Sequence, residues 1–224
     1  MGTDNLHQRA KSTKELGRKK AQRSGDLILI VCEGEKTEPH YIEELLKDLN
    51  ISNTRAIIEM TGDCGSAPQS VVEKAIERFE AKNYDHIFCI IDRDKHPTFG
   101  IALEKIQAYK WKNTNGKSTF KAKTKKAIIS IPCFEYWLLL HLKKTTKVFA
   151  GNGQKISPCK ECLCELKKEL THYEKGSKSI YALTKDKIDT AIKHAKEVVA
   201  NKSDEHQNPI TYFHELIEFL RAYK

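Results

Sequence analysis

Long apolar runs are missing from this 224-residue sequence. The longest, such as Leu27–Cys32 and Tyr136–Leu140, fall well short of the roughly 20 residues that cross a bilayer, so no membrane partner is expected. Residues 1–25 also lack the apolar stretch of an export signal and are polar and basic instead, which points to a cytoplasmic location. Without export, the seven cysteines do not read as a disulfide framework. Cys159, Cys162 and Cys164 form the only cysteine cluster. It lacks a second Cys/His pair at finger spacing, although His172 is near, so a reduced-thiol segment is favoured over structural zinc. Cys32 and Cys89 sit in strand-like runs and read as small core residues. Internal repeats are absent as well.

Acids are scarce in two tracts. Residues 1–25 hold seven Lys/Arg against Asp4 and Glu15, and residues 110–126 hold seven Lys and no acid, within a net charge of +9. Such clusters suit a polyanion, because each phosphate contact releases condensed counterions. The plain alternative is a solvated surface with a disordered tail. Residues 1–25 show neither helical nor strand period and read as a basic mobile arm.

With 39% apolar and 31% charged residues, the remainder suits one globular domain or a domain with an appendage. Leu27–Cys32 has the continuous β-branched character of a strand covered on both faces. Residues 38–49 follow with helical spacing, Arg55–Met60 reads as a second strand, and residues 69–82 as a helix with Val72, Ala75, Ile76 and Phe79 on one face. His86–Ile91 is a third buried strand and 100–109 a helix. The Lys/Asn/Gly/Ser-rich stretch 110–125 reads as a loop or poorly structured insertion. Ala127–Ile131 is a fourth strand, with Pro132 placed to start a helix over 133–143. This alternation predicts an α/β domain over 26–150, with a mainly parallel sheet and helices on both faces. Beyond 150 strand signals stop. Residues 158–175, 184–201 and 209–222 read as helices of a C-terminal extension, 151–224, packed on that domain. Asn208-Pro209 reads as an N-cap followed by Pro at the first helical position, which puts Thr211 in the first turn.

Ligands of open parallel sheets bind beyond the carboxyl ends of the strands, and three of the four strands end in acids there. The first runs into Glu33-Gly34-Glu35-Lys36-Thr37-Glu38, the third into Asp92-Arg93-Asp94, and the fourth leads through Pro132 to Glu135. Singly, each has an ordinary explanation in turn chemistry or first-turn helix electrostatics. Together they converge. Alternate residues of an extended chain point the same way, so Asp92 and Asp94 are expected to reach one ion while Arg93 points elsewhere. Glu135 shares a helical face with Leu138, Leu139 and Leu142, so it should be buried and in need of a metal or a basic partner. Hard carboxylate oxygens favour Mg²⁺ or Mn²⁺, as one or two ions.

The E-G and D-x-D pieces resemble the Toprim fold of primases, topoisomerases and OLD-type nucleases. More specifically, V-C-E-G-E-K-T-E-P-H-Y, I-I-D-R-D-K-H, S-I-P-C-F-E-Y-W-L-L-L-H and N-P-I-T-Y resemble the RloB family of prokaryotic defence proteins, over about residues 27–223. The resemblance implies a Toprim-like fold and a metal-dependent nuclease effector of antiphage or abortive-infection defence, cutting RNA (tRNA among it) or DNA. An ABC-type ATPase partner is implied too, and a homo-oligomer is compatible with it. Glu33, Asp92, Asp94 and Glu135 would hold the metal, Glu38 would complete the site or act as general base, and Lys36 would face the scissile phosphate. Glu35 is expected to face solvent. His96 could contact a phosphate, whereas His141 reads as a helix-packing histidine. The competing readings are a non-catalytic subunit or adaptor of a defence ATPase, and a nucleic-acid-binding module without turnover. The chain is too short for the usual topoisomerase assembly with its separate tyrosine-bearing domain.

Overall fold

A computed structural model describes residues 25–65, 67–153, 155–202, 204 and 207–224. The basic arm read over residues 1–25 falls outside them except for Gly25. Strand β1 (Asp26–Cys32) is followed by α1 (Thr37–Leu49), β2 (Ala56–Thr61), α2 (Pro68–Ala81), β3 (His86–Asp92) and α3 (Phe99–Ala108). Then come β4 (Lys112–Asn115), β5 (Ser118–Lys121), β6 (Thr124–Ile131) and α4 (Glu135–Leu140). The C-terminal part comprises α5 (Pro158–Glu169), α6 (Ile180–Thr184), a 3₁₀ turn at Lys185–Lys187, α7 (Ile188–Ala200), β7 (Ile210–Thr211) and α8 (Phe213–Arg221).

The main sheet has the order β2-β1-β3-β6-β7. Its first four strands are parallel, and β7 closes the edge antiparallel to β6. Side chains alternate across the sheet as strand geometry demands. Leu27, Leu29 and Val31 join Val72, Phe79, Phe99 and Ile106 on the face covered by α2 and α3. Ile28, Ile30 and Cys32 face the other way, into a core shared with α1, α4 and the C-terminal helices. Helices therefore cover both faces, and the chain is α/β with a mostly parallel sheet and a C-terminal helical part. No helix among the described residues is long and apolar enough to cross a membrane.

Four sequence expectations need correction. The stretch 110–125 is not a loop: β4 and β5 form an antiparallel hairpin turning at Gly116-Lys117, with Gly116 at φ +59°. Trp111 anchors it, donating from Nε1 to the Ile106 carbonyl at 2.9 Å. Second, the helix after Pro132 is Glu135–Leu140 rather than 133–143. Third, the expected helix 158–175 stops at Glu169, because Tyr173 is drawn into the core and Gly176 (φ +83°) turns the chain against α1. Fourth, Asn208 caps no helix. Its side chain bonds both the N–H and the carbonyl of Phe149, Ile210–Thr211 pairs with β6, and the helix begins at Phe213.

The N-terminal edge of the sheet is a tied-down corner. The Asp26 carboxylate accepts from Lys123 Nζ (2.5 Å), Tyr223 hydroxyl (2.7 Å) and His86 Nε2 (3.1 Å). Asp85 accepts from the Leu27 N–H at 2.8 Å and pairs with Lys123 at 3.5 Å. Burial pushes the Asp26 carboxyl up, but the three hydrogen bonds outweigh it and hold the group at about 2. The β4–β5 hairpin leaves the sheet at this same edge, since Lys123 follows it by two residues.

Candidate metal centre

Three strand ends meet at the opposite edge. Asp92 shares the side of β3 occupied by Phe88 and Ile90, so its carboxylate turns toward α1 and α4. There its oxygen, the Cys133 sulfur and a Glu135 oxygen all lie within 4.8 Å of one another. Glu33, the first residue after β1, reaches across, its Oε2 accepting the Asp92 N–H at 3.0 Å. Glu38 stands in the first turn of α1 and is buried. A Cβ on Gly34 would sit 2.9 Å from Glu38 Oε2, so the Glu-Gly pair leaves room for that carboxylate. Glu33, Glu38, Asp92, Lys36 and Lys175 line one cavity of about 530 Å³. Glu35 and Lys36 are exposed on its rim.

Asp94 departs from the expected geometry. The extended backbone ends at Asp92; the Arg93 and Asp94 N–H groups bond the carbonyls of Ser130 and Pro132, and Asp94 adopts φ +30°. It therefore does not follow Asp92 by simple alternation, although its charge still acts on Glu33.

Glu135 is 2% exposed, as its helical face demanded. Two residues that the sequence did not single out approach it: Lys175 Nζ and the Tyr173 hydroxyl, each at 3.5 Å from Oε1. Both come from the turn after α5. Lys175 side chain is 63% exposed, so it caps the cluster from solvent rather than filling it. Cys133, inside the S-I-P-C-F-E stretch, was also missed as a site residue.

The electrostatics are those of crowded carboxylates. Burial, with the charges of Glu38 and Asp94 adding to it, pushes Glu33 up to about 7 despite the Asp92 N–H bond. Burial and then Cys133 raise Glu135 to about 8. Asp92 lies well above the usual carboxylate range through burial and then Glu38, and burial lifts Glu38. Burial works against the charge of Lys175, yet Glu135 and Asp92 hold it above its ordinary value. Among the described residues, Asp92 Oδ1 and Asp94 Oδ1 are closed to solvent and have no hydrogen-bond partner. Such groups are costly unless a cation joins them. Oxygen donors from several strand ends beside a cavity lined by Glu33, Glu38 and Asp92 fit a divalent ion.

His96 sits beyond this group, its Nδ1 enclosed without a partner among the described residues. His141 packs as expected: its ring nitrogens meet the Tyr41 hydroxyl (3.2 Å) and the Trp137 carbonyl (3.0 Å), and burial lowers it to about 4. Thr211 lies in β7 rather than in a helix, its hydroxyl 2.9 Å from that of Ser130.

The family described as RloB-like protein matches residues 28–220. No curated protein and no solved structure matches the chain significantly.

Proposed function

The chain belongs to the RloB-like family, and from that premise and the carboxylate cluster we propose that it is a metal-dependent phosphodiesterase. Its substrate is RNA, with tRNA foremost, or DNA, and its setting is antiphage defence beside an ABC-type ATPase. The observation that carries the reading is the pair of enclosed, partnerless oxygens on Asp92 and Asp94, set among Glu33, Glu38 and Glu135 at the carboxyl ends of three strands. Glu33, Asp92, Asp94 and Glu135 would hold Mg²⁺ or Mn²⁺. Such an ion would supply Lewis-acid chemistry at the phosphate and lower the pKa of water.

The chain's own residues do the rest. Glu38, kept in place by the room Gly34 leaves, is positioned to take a proton from the attacking water. Lys36 and Lys175, on the cavity wall, neutralise phosphate charge, and their exposure lets a long substrate reach them without entering the core. The Glu33 carboxylate orients the start of the Asp92 turn through the Asp92 N–H. This is a Toprim-like division of labour, in which phosphate rather than base is gripped.

The test is cleavage of tRNA and of plasmid DNA by purified protein with Mg²⁺, Mn²⁺ or chelator, beside Asp92→Ala. The expected result is metal-dependent cleavage that Asp92→Ala loses. Equal cleavage by the variant would assign the activity to a contaminant. Metal binding without turnover on either substrate would favour a non-catalytic subunit of the ATPase.

A further inference from the structure

The β4–β5 hairpin has two unlike faces. Its register sets Asn113 opposite Phe120, and Lys112 and Thr114 opposite Lys121 and Thr119. Strand alternation sends the first pair to one face and the other two pairs to the opposite one. The first face is fastened to α2 and the residues just after it. Asn113 Nδ2 donates to the Phe79 carbonyl and to Asn83 Oδ1, both at 2.8 Å, and the Phe120 ring tilts against Phe79 with 6.3 Å between centroids. With that face held, Lys112, Thr114, Thr119 and Lys121 are turned outward and exposed.

The outer face carries charge of one sign. Lys112 and Lys121 stand directly opposite each other, an arrangement that costs stability, since like charges across a strand pair repel. Two neighbouring lysines are matched: Lys123 meets Asp26 and Asp85, and Lys126 meets Glu215. Among the described residues, Lys112, Lys117 and Lys121 have no acid partner. Lysines that only keep strand edges apart need no such opposition. An anion spanning both ammoniums relieves it.

The rest of the face narrows the anion. Trp111 is buried and Phe120 is turned to α2, so neither ring offers an outward platform on which unpaired bases stack. What remains is lysine and hydroxyl on a two-stranded ribbon. The major groove of B-form DNA, about 12 Å wide, admits such a ribbon, whereas that of A-form RNA is too narrow for side chains to read.

We propose that the outer face of the β4–β5 hairpin is a docking surface for duplex DNA, laid in its major groove. Lys112 and Lys121, nearer the base of the hairpin, take phosphate oxygens. Lys117 and the hydroxyls of Thr114 and Thr119, nearer the turn, meet base edges. Docking selects duplex DNA within the nuclease reading and rests on that reading for its role in cleavage; binding itself needs neither metal nor turnover.

Full-length protein in chelator, so that nothing is cut, is titrated with a short labelled DNA duplex, and with an RNA duplex and a DNA single strand of the same sequence. Wild type is expected to bind the DNA duplex tightest. Lys112→Gln with Lys121→Gln should weaken that binding roughly tenfold or more. It should also lower the slope of log affinity against log salt by about 2, one contact for each lysine. Lys185→Gln with Lys187→Gln, which removes the same charge from an exposed turn, should do neither. The hairpin variant should melt at or above the wild-type temperature, because an opposed pair of like charges is gone. A clear fall in melting would make the pair structural and overturn the proposal. So would equal binding by wild type and hairpin variant, equal loss in the control, or an RNA duplex or single strand bound as tightly as the DNA duplex. Hairpin-dependent docking by a protein that cuts nothing once metal is restored would leave this inference standing and remove the nuclease reading. Metal-dependent cleavage with binding unmoved by the hairpin variant would do the reverse.

Discussion

At the N-terminal edge of the sheet Asp26 has three hydrogen-bond donors around its carboxylate and is held at about 2. At the C-terminal edge, one strand length away, Glu33 rises to about 7 and Glu135 to about 8. The same strands carry both sets of acids. The first edge spends its acids on order: β1, β3, the start of β6 and the C-terminal Tyr223 are tied through one carboxylate. The second gathers acids with one cationic side chain close to Glu135, Lys175, and leaves oxygens of Asp92 and Asp94 without partners among the described residues. Shielded acids stabilise a fold, and crowded ones are set against it until a cation arrives.

The largest effect that could break this contrast is at Asp92. Asp92→Asn keeps the shape and removes a charge, so cleavage should fall on the order of 10²–10³-fold, as when a transition-state electrostatic partner is lost. Thermal melting of the metal-free variant should occur at or above the wild-type temperature. A clear fall would make Asp92 a structural acid like Asp26.

Next comes the pH profile of metal-free stability, read by urea denaturation. Glu33 and Glu135 have the ordinary value 4.5 when unfolded and titrate near 7 and 8 when folded. The folded state therefore binds more protons between those values. Their contribution is complete below pH 4.5 and is lost as pH rises to about 8, on the order of 3 kcal/mol for Glu33 and 5 kcal/mol for Glu135. Saturating Mg²⁺ should flatten that decline. Asp26 runs the other way: from 3.8 to about 2, its contribution is present above pH 3.8 and lost as pH falls toward 2. A metal-free curve level from 4.5 to 8 would erase the difference between the edges.

A smaller effect is expected from Asp26→Ala. It strands the hydrogen bonds of Lys123, Tyr223 and His86 and should cost about 2 kcal/mol, with cleavage per folded molecule unchanged. Loss of cleavage without loss of stability would invert the assignment. The smallest belongs to Lys175→Ala. Its side chain is largely exposed, so metal-free stability should drop by less than about 1 kcal/mol in the same denaturation assay. A drop as large as that of Asp26→Ala would show Glu135 to be tied in the manner of the other edge.

The strands and most helices were legible because apolar period and burial coincide, as along Leu27–Cys32 and Val71–Phe79. The acids at strand ends were legible for the same reason: a carboxylate that terminates a buried run has a known direction. Tyr173 and Lys175 were not, because the turn after α5 folds back onto the cluster, a long-range contact without a local period; Cys133, two residues before Glu135, passes in the sequence for a small core residue. The hairpin turns at Gly116-Lys117, a glycine-first pair of the kind two-residue turns use, but its lysines hid the strands. β7 has only two residues and offers no pattern to read. The extended-chain argument for Asp94 failed at one torsion angle, at the point where carbonyls of Ser130 and Pro132 capture the turn.

The lysine-bearing hairpin leaves the sheet at the edge opposite the carboxylates, and that separation acts as a ruler. β1 has seven residues, which at about 3.3 Å per residue sets the two features roughly 23 Å apart. A single nucleic acid touching both must have a footprint of about seven base steps at 3.4 Å each. A shorter oligonucleotide that occupies the cavity forgoes the hairpin and should show a shallower dependence of binding on salt.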